Sequence, residues 1–127
     1  NEEIFIYCVR NAFMGKKKPE VLRNIVLWGR FFDKKKKKKQ KNFLDFCSEM
    51  FRLALLQNYD AEHLVYKRLS KNGFNWEAFT NFIHGANIVD ILEEISDADL
   101  HLYRNANAKI VWTDLGIKLT RYIHRSA

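Results

Sequence analysis

The sequence predicts an all-α fold, a compact bundle of about six to seven helices forming one domain over residues 1 to 127. Three observations carry that expectation. Apolar residues make up 47% of the chain and aromatic residues 14%, which suits a domain with a substantial core and argues against disorder. One Pro and five Gly are too few for the tight turns of an all-β sandwich or barrel. No segment alternates apolar and polar residues with the period of a strand, whereas apolar residues recur three and four apart along the chain.

Ile4, Phe5, Cys8, Val9, Ala12 and Phe13 set out a first helix, which Gly15 and the cations Lys16 to Lys18 stop. Pro19 suits the first turn of a second helix, where an N–H has no intrahelical partner anyway. Val21, Leu22, Ile25, Val26 and Trp28 or Gly29 carry that helix towards Phe32. The run Lys34 to Lys39 comes next and reads as a Lys-rich, solvated loop over residues 33 to 39. From about Gln40 a central helix is expected, with Phe43, Cys47, Met50 and Ala54 in one row and Leu44, Phe51 and Leu55 in its neighbour. Asn58, Tyr59 and Asp60 make a turn, and Asp60 caps a helix bearing Leu64, Val65 and Leu69 that Asn72 and Gly73 end. Asn75 caps the following helix, whose apolar face is Trp76, Phe79, Phe82 and Ile83 and which Gly85 closes. Asn87 caps a longer one with Ile88, Ile91, Leu92, Ile95 and Leu102 inward and Asp90, Glu93, Glu94 and Asp97 outward. After Asn105-Ala106-Asn107 a last helix, near Lys109 to Ile123, carries Val111, Trp112, Leu115, Leu119, Tyr122 and Ile123 along one side.

The formal charge is +7, from 22 Lys and Arg against 15 Asp and Glu, which raises nucleic acid as a partner. Nine of those cations lie in the two lysine runs, so the rest of the domain, with 13 basic and 15 acidic residues, is slightly acidic. A solvated run is the simpler reading of each, and a basic helical nucleic-acid-binding module using Lys16 to Lys18 and Lys34 to Lys39 is the alternative. Cys8 and Cys47 lie in apolar helical settings without CxxC spacing and read as reduced, buried thiols, which fits a cytoplasmic location. The chain opens on Asn1, shows no signal-peptide pattern and has no apolar stretch near the roughly 20 residues of a membrane span. It reads as the C-terminal part of a longer soluble chain without a membrane partner.

Chemistry-bearing motifs are sparse. Gly15-Lys16 lacks both the upstream glycine and the Ser or Thr of a phosphate loop. His63, His84, His101 and His124 never fall three to five apart, and Glu93, Glu94, Asp97 and Asp99 read as a solvated helix face. No Gly-x-Ser-x-Gly elbow occurs. No catalytic residue, no metal, no cofactor and no small-molecule substrate are therefore expected, and most aromatics share helical rows with Leu and Ile as core residues.

At Gln40-Lys41-Asn42-Phe43-Leu44, and again at Asn105-Ala106-Asn107-Ala108-Lys109-Ile110, the sequence resembles the C-terminal domain of the delta-prime subunit of bacterial DNA polymerase III, a clamp-loader protein. In that family an Asn-x-Asn-x-Lys element leads into the final collar helix, and Asp114, Leu115 and Leu119 continue the likeness. Phe51-Arg52, followed by Leu55, Leu56, Asn58 and Tyr59, is similar to the family's central helix. The resemblance runs from about Gln40 to Leu119; relatives carry a mixed Gly-Arg-Glu type sequence where this chain has Lys34 to Lys39. It implies a helical collar domain that joins other clamp-loader subunits into a hetero-oligomer for loading the sliding clamp in DNA replication, meeting DNA only indirectly. It also implies a fragment that does not hydrolyse ATP, because the AAA+ modules lie elsewhere in such proteins.

The expected subunit interface centres on the last helix. Ile110, Val111, Trp112, Leu115, Ile117, Leu119, Tyr122 and Ile123 span more than one narrow stripe, so some should face a neighbour. Asn105, Asn107, Lys109, Trp112, Ile117 and Tyr122 are the candidate interface residues, with Asn107 also read as the N-cap of that helix. Gly116 inside it marks a close helix contact, with a neighbour or within the bundle.

Overall fold

The computed structural model describes residues 1–14 and 19–127. The described residues form six α-helices and no strand: α1 Glu2–Met14, α2 Pro19–Asp33, α3 Lys37–Asn58, α4 Trp76–Thr80, α5 Ile88–Tyr103 and α6 Ala108–Ile123. Two 3-10 turns, Glu62–Leu64 and Lys71–Gly73, lie between α3 and α4. The expected stop at Gly15 and Lys16 to Lys18 falls outside the described residues. None of the helices is long and apolar enough to cross a membrane.

Glu2 and Glu3 open α1 where carboxylates suit the positive end of the helix dipole, and Phe5, Ile6, Val9 and Ala12 face inward. Pro19 opens α2, which buries Val21, Ile25, Trp28 and Phe32 at helical spacing. The lysine run is divided rather than looped throughout. Asp33 still belongs to α2, only Lys34, Lys35 and Lys36 form the link, and Lys37 to Lys39 are the first turn of α3. Lysine is a good helix former, so once α3 is nucleated by its apolar rows it extends backwards into the run.

α3 turns Phe43, Leu44, Cys47, Met50, Phe51, Leu53 and Ala54 into the core and packs against α4 and α5. α6 packs against α1, α2 and α5, so the central place expected of one helix is shared by two. Trp112 of α6 is fully buried, stacked on Phe32 at 3.9 Å between ring centroids and edge-on to Trp28 at 5.5 Å. A second aromatic cluster, Phe5, Phe51 and Phe79, joins α1, α3 and α4.

The helix expected between Asp60 and Asn72 does not form. Asp60 takes a left-handed φ of 62° instead of capping, the 3-10 turn Glu62–Leu64 follows, and the chain then runs without helical structure to Ser70. Val65 and Leu69 are buried but Leu64 is exposed, and two inward side chains offset too little of the cost of nucleating a helix. Asn72 and Gly73 do reverse the chain, both with positive φ. Asn75 caps α4, its Oδ1 accepting from the Ala78 N–H at 3.0 Å; α4 ends at Thr80, and Phe82 is part-exposed against Phe13 rather than part of a buried helical face.

Asn87 precedes α5 without capping it through its side chain. Its Oδ1 accepts from the His84 N–H at 3.0 Å, and its Nδ2 donates to the carbonyls of Phe82 at 2.8 Å and Tyr122 at 3.0 Å. His84 is buried beside it: Nδ1 accepts from the Ala86 N–H, which leaves Nε2 to donate to the Arg125 carbonyl at 3.0 Å. These bonds tie the 82–87 turn to the end of α6.

Candidate functional site

The first turns of α3 are tied to the α5–α6 corner by polar side chains. Asn105 follows the end of α5 with a φ of 63°, a residue type that tolerates this conformation, and its Oδ1 accepts from Lys37 Nζ. Trp112 Nε1 donates to Gln40 Oε1 at 2.7 Å, and Gln40 Nε2 donates to the Lys35 carbonyl at 2.9 Å. Lys41 Nζ reaches Asp99 at 2.9 Å and Asp45 at 3.8 Å. The start of α3 is thereby fastened to the α5–α6 corner by one buried and two exposed polar links. Gln40, only 4% exposed, was not singled out as a polar core residue by its position in the sequence.

Asn107 caps α6, its Oδ1 accepting from the Ile110 N–H at 3.2 Å. Lys109 is exposed, as are Asn105 and Asn107, and Ile117 is 41% exposed. Trp112, counted among the expected interface residues, is a core residue that a docking partner does not reach, because its indole fills the space between α2 and α3. Tyr122 is half-buried; its hydroxyl donates to Glu94 Oε1 at 3.1 Å, and burial together with that carboxylate raises its pKa. Lys118 joins the same group, 3.0 Å from Asp114 and 3.4 Å from Glu94, and links α6 to α5.

The exposed apolar residues of α6 are Ile110 and Ile117, seven apart and hence on one face. That face adjoins α2, which exposes Leu22, Val26, Leu27 and Phe31, and α1 adds Tyr7 beyond. Two shallow grooves flank α2. One, between α1 and α2, is lined by Ile4, Tyr7, Leu27 and Phe31; the other, between α2 and α6, by Val26, Ile110, Thr113 and Ile117 with Arg30, Lys109 and Asp114. The contribution of α2 was missed from sequence. A signal was there: residues 25 to 28 are all apolar and residues 31 and 32 follow, more than one buried stripe accommodates.

Gly29 and Gly116 explain how closely α2 and α6 lie. A Cβ on Gly29 would stand 2.8 Å from the Lys109 carbonyl, and one on Gly116 would stand 2.7 Å from Ile25 Cγ2 and 3.0 Å from Trp28. Gly29 meets the beginning of α6 and Ile25 its middle, so the helices run antiparallel. The close contact at Gly116 is thus within the bundle.

Cys8 and Cys47 are both free thiols, half-buried and buried respectively, and burial pushes both pKa values up, away from a reactive thiolate. Among the described residues no group of three His, Cys, Asp or Glu side chains is placed to hold a metal. An apolar cavity bounded by α1, α2, α3, α5 and α6 measures about 30 Å³, room for little more than a water molecule. No protein-family model matches the chain, and neither a curated protein nor a solved structure matches it significantly.

Proposed function

We propose that the chain is the helical collar domain of a clamp-loader subunit of the delta-prime type, a non-catalytic module that assembles with other clamp-loader subunits. The observation that carries this reading is the exposed apolar surface on the two flanks of α2: Val26 lies beside Ile110 and Ile117 of α6 in one groove, and Leu27 and Phe31 beside Ile4 and Tyr7 of α1 in the other. Exposed apolar surface rimmed by charged residues is a usual mark of a protein contact, and a standard interface needs about 800 Å² per partner. The likeness at Gln40 to Leu44 and Asn105 to Ile110 supports it independently. In this reading ATP is bound and turned over by other modules of the assembly, and DNA is met through them.

The test is co-purification of the full-length protein with the partner clamp-loader subunits, repeated with Ile117→Arg. Wild type is expected to assemble and the folded variant to lose at least about tenfold in affinity, because a charge would be buried without a partner. Normal assembly of the folded variant removes α6 from the interface.

One observation favours the alternative, a nucleic-acid-binding module. Tyr103, 81% exposed, stands with Leu100 beside Lys37, Lys38 and Lys41, an aromatic next to cations of the kind that stacks on bases. Two of these lysines already hold protein partners, Asn105 and Asp99, which weakens it. DNA binding that falls steeply with salt, without subunit assembly, would replace the collar reading.

A further inference from the structure

The groove between α2 and α6 has a chemistry that specifies what fills it. Its floor is apolar, with Val26 from α2 and Ile110 and Ile117 from α6, and the seven-residue step from one isoleucine to the other spans about 10.5 Å along the helix. That is the spacing of two apolar side chains at i and i+7 on a second helix laid along the groove. Arg30 and Lys109 stand on the lining, both exposed, and among the described residues neither has a carboxylate within 4.0 Å. Asp114, the one acid of the lining, is paired with Lys118 at 3.0 Å, a lysine it shares with Glu94, and it stands against two cations. The uncompensated charge is therefore positive.

It is also placed at one end. Because α2 and α6 run antiparallel with Gly29 against Lys109, Arg30 in the last turn of α2 and Lys109 in the first turn of α6 lie together at one end of the groove. The close approach at Gly29 and Gly116 holds the two walls in fixed positions, so little ordering is needed when the groove is filled.

We propose that this groove receives an amphipathic helix of a neighbouring subunit, with apolar side chains at i, i+3 or i+4 and i+7 and Asp or Glu at the end that meets Arg30 and Lys109. The inference rests on the assembly reading above and names the partner surface it requires. A nucleic acid fits the groove poorly, since its phosphates would find two cations at one end and isoleucines along the rest.

The experiment uses the full-length protein and the purified partner clamp-loader subunits. A carbodiimide, which joins an amine to a carboxylate only where the two touch, is expected to couple Lys109 to an Asp or Glu of a partner helix, located by mass spectrometry. The double variant Arg30→Glu, Lys109→Glu is expected to weaken assembly by about tenfold or more, with the loss largest at low salt, while Arg30→Lys leaves assembly near normal. Ile110→Ser, milder than a charge, is expected to weaken assembly with little change in salt dependence. Thermal melts of each variant confirm that it is folded. Normal assembly of the folded double variant, with no coupling at Lys109, overturns the groove while leaving the assembly reading standing. Failure of the wild type to bind any clamp-loader subunit overturns the assembly reading itself. Self-association of the chain that the double variant abolishes makes a second copy the occupant, seated through exposed Val89, Glu93, Asp97 and Leu100 of α5, and overturns the neighbouring-subunit proposal.

Discussion

Gln40 gives the most informative single substitution. Its amide accepts from Trp112 and donates to the Lys35 carbonyl, so Gln40→Leu strands a buried indole N–H as well as a backbone carbonyl. An unsatisfied buried donor costs about 1 to 3 kcal/mol, and the denaturant midpoint is expected to fall accordingly; an unchanged midpoint would show that the link contributes nothing. The thiols set a second test. Burial raises both above the ordinary thiol value of 9.0, with a smaller contribution at Cys8 from Cys47. A thiol that ionises less readily folded than unfolded gives its full stabilisation below that value and loses it as pH rises, because the unfolded chain then releases protons that the folded chain retains. Stability should therefore decline above pH of about 9, and less steeply in Cys47→Ala; equal slopes in the two proteins would contradict the burial argument. Asn107 and Asn75 were legible as caps because a cap is decided within four residues of chain. Gln40 was not, since its partner lies 72 residues away, and Trp112 was misread as interface because periodicity shows that a side chain is apolar and not which neighbour encloses it.

Among the elements, the α2–α6 pair governs the surface. Gly29→Ala would press a methyl against the Lys109 carbonyl, which belongs to backbone and cannot swing away. The gain of about 1 kcal/mol in helix propensity is then outweighed by overpacking of about 1 to 3 kcal/mol, so a net loss of melting temperature is expected, and a more stable Gly29→Ala variant would contradict the close approach. The positions of α1, α2, α3, α5 and α6 were readable because each carries an apolar row over three or more turns. The stretch from Asp60 to Asn72 misled for the opposite reason: Leu64, Val65 and Leu69 match a helical spacing over barely two turns, and tertiary contacts of Val65 and Leu69 decided the conformation. The lysine run shows a further limit. Charge density argued for solvation, which Lys37 to Lys39 satisfy equally well as the outer surface of a helix start.

For the whole molecule, the buried core and the exposed apolar rows are distinct. The aromatic interior, from Phe5, Phe51 and Phe79 to Trp28, Phe32 and Trp112, holds the helices, while the outer rows of α2 and α6 take no part in that core. On the proposed reading, the apolar residues left outside the core, with Arg30 and Lys109 beside them, serve assembly and not folding. The most direct measurement is amide hydrogen exchange on the full-length protein, alone and mixed with the proposed partner clamp-loader subunits. The account predicts slower exchange in α2 and in the first half of α6 on assembly, with α4 and the 59–73 segment unchanged. Unchanged exchange in α2 and α6, with protection appearing instead around Lys37, Lys38 and Tyr103 when DNA is added, would contradict it.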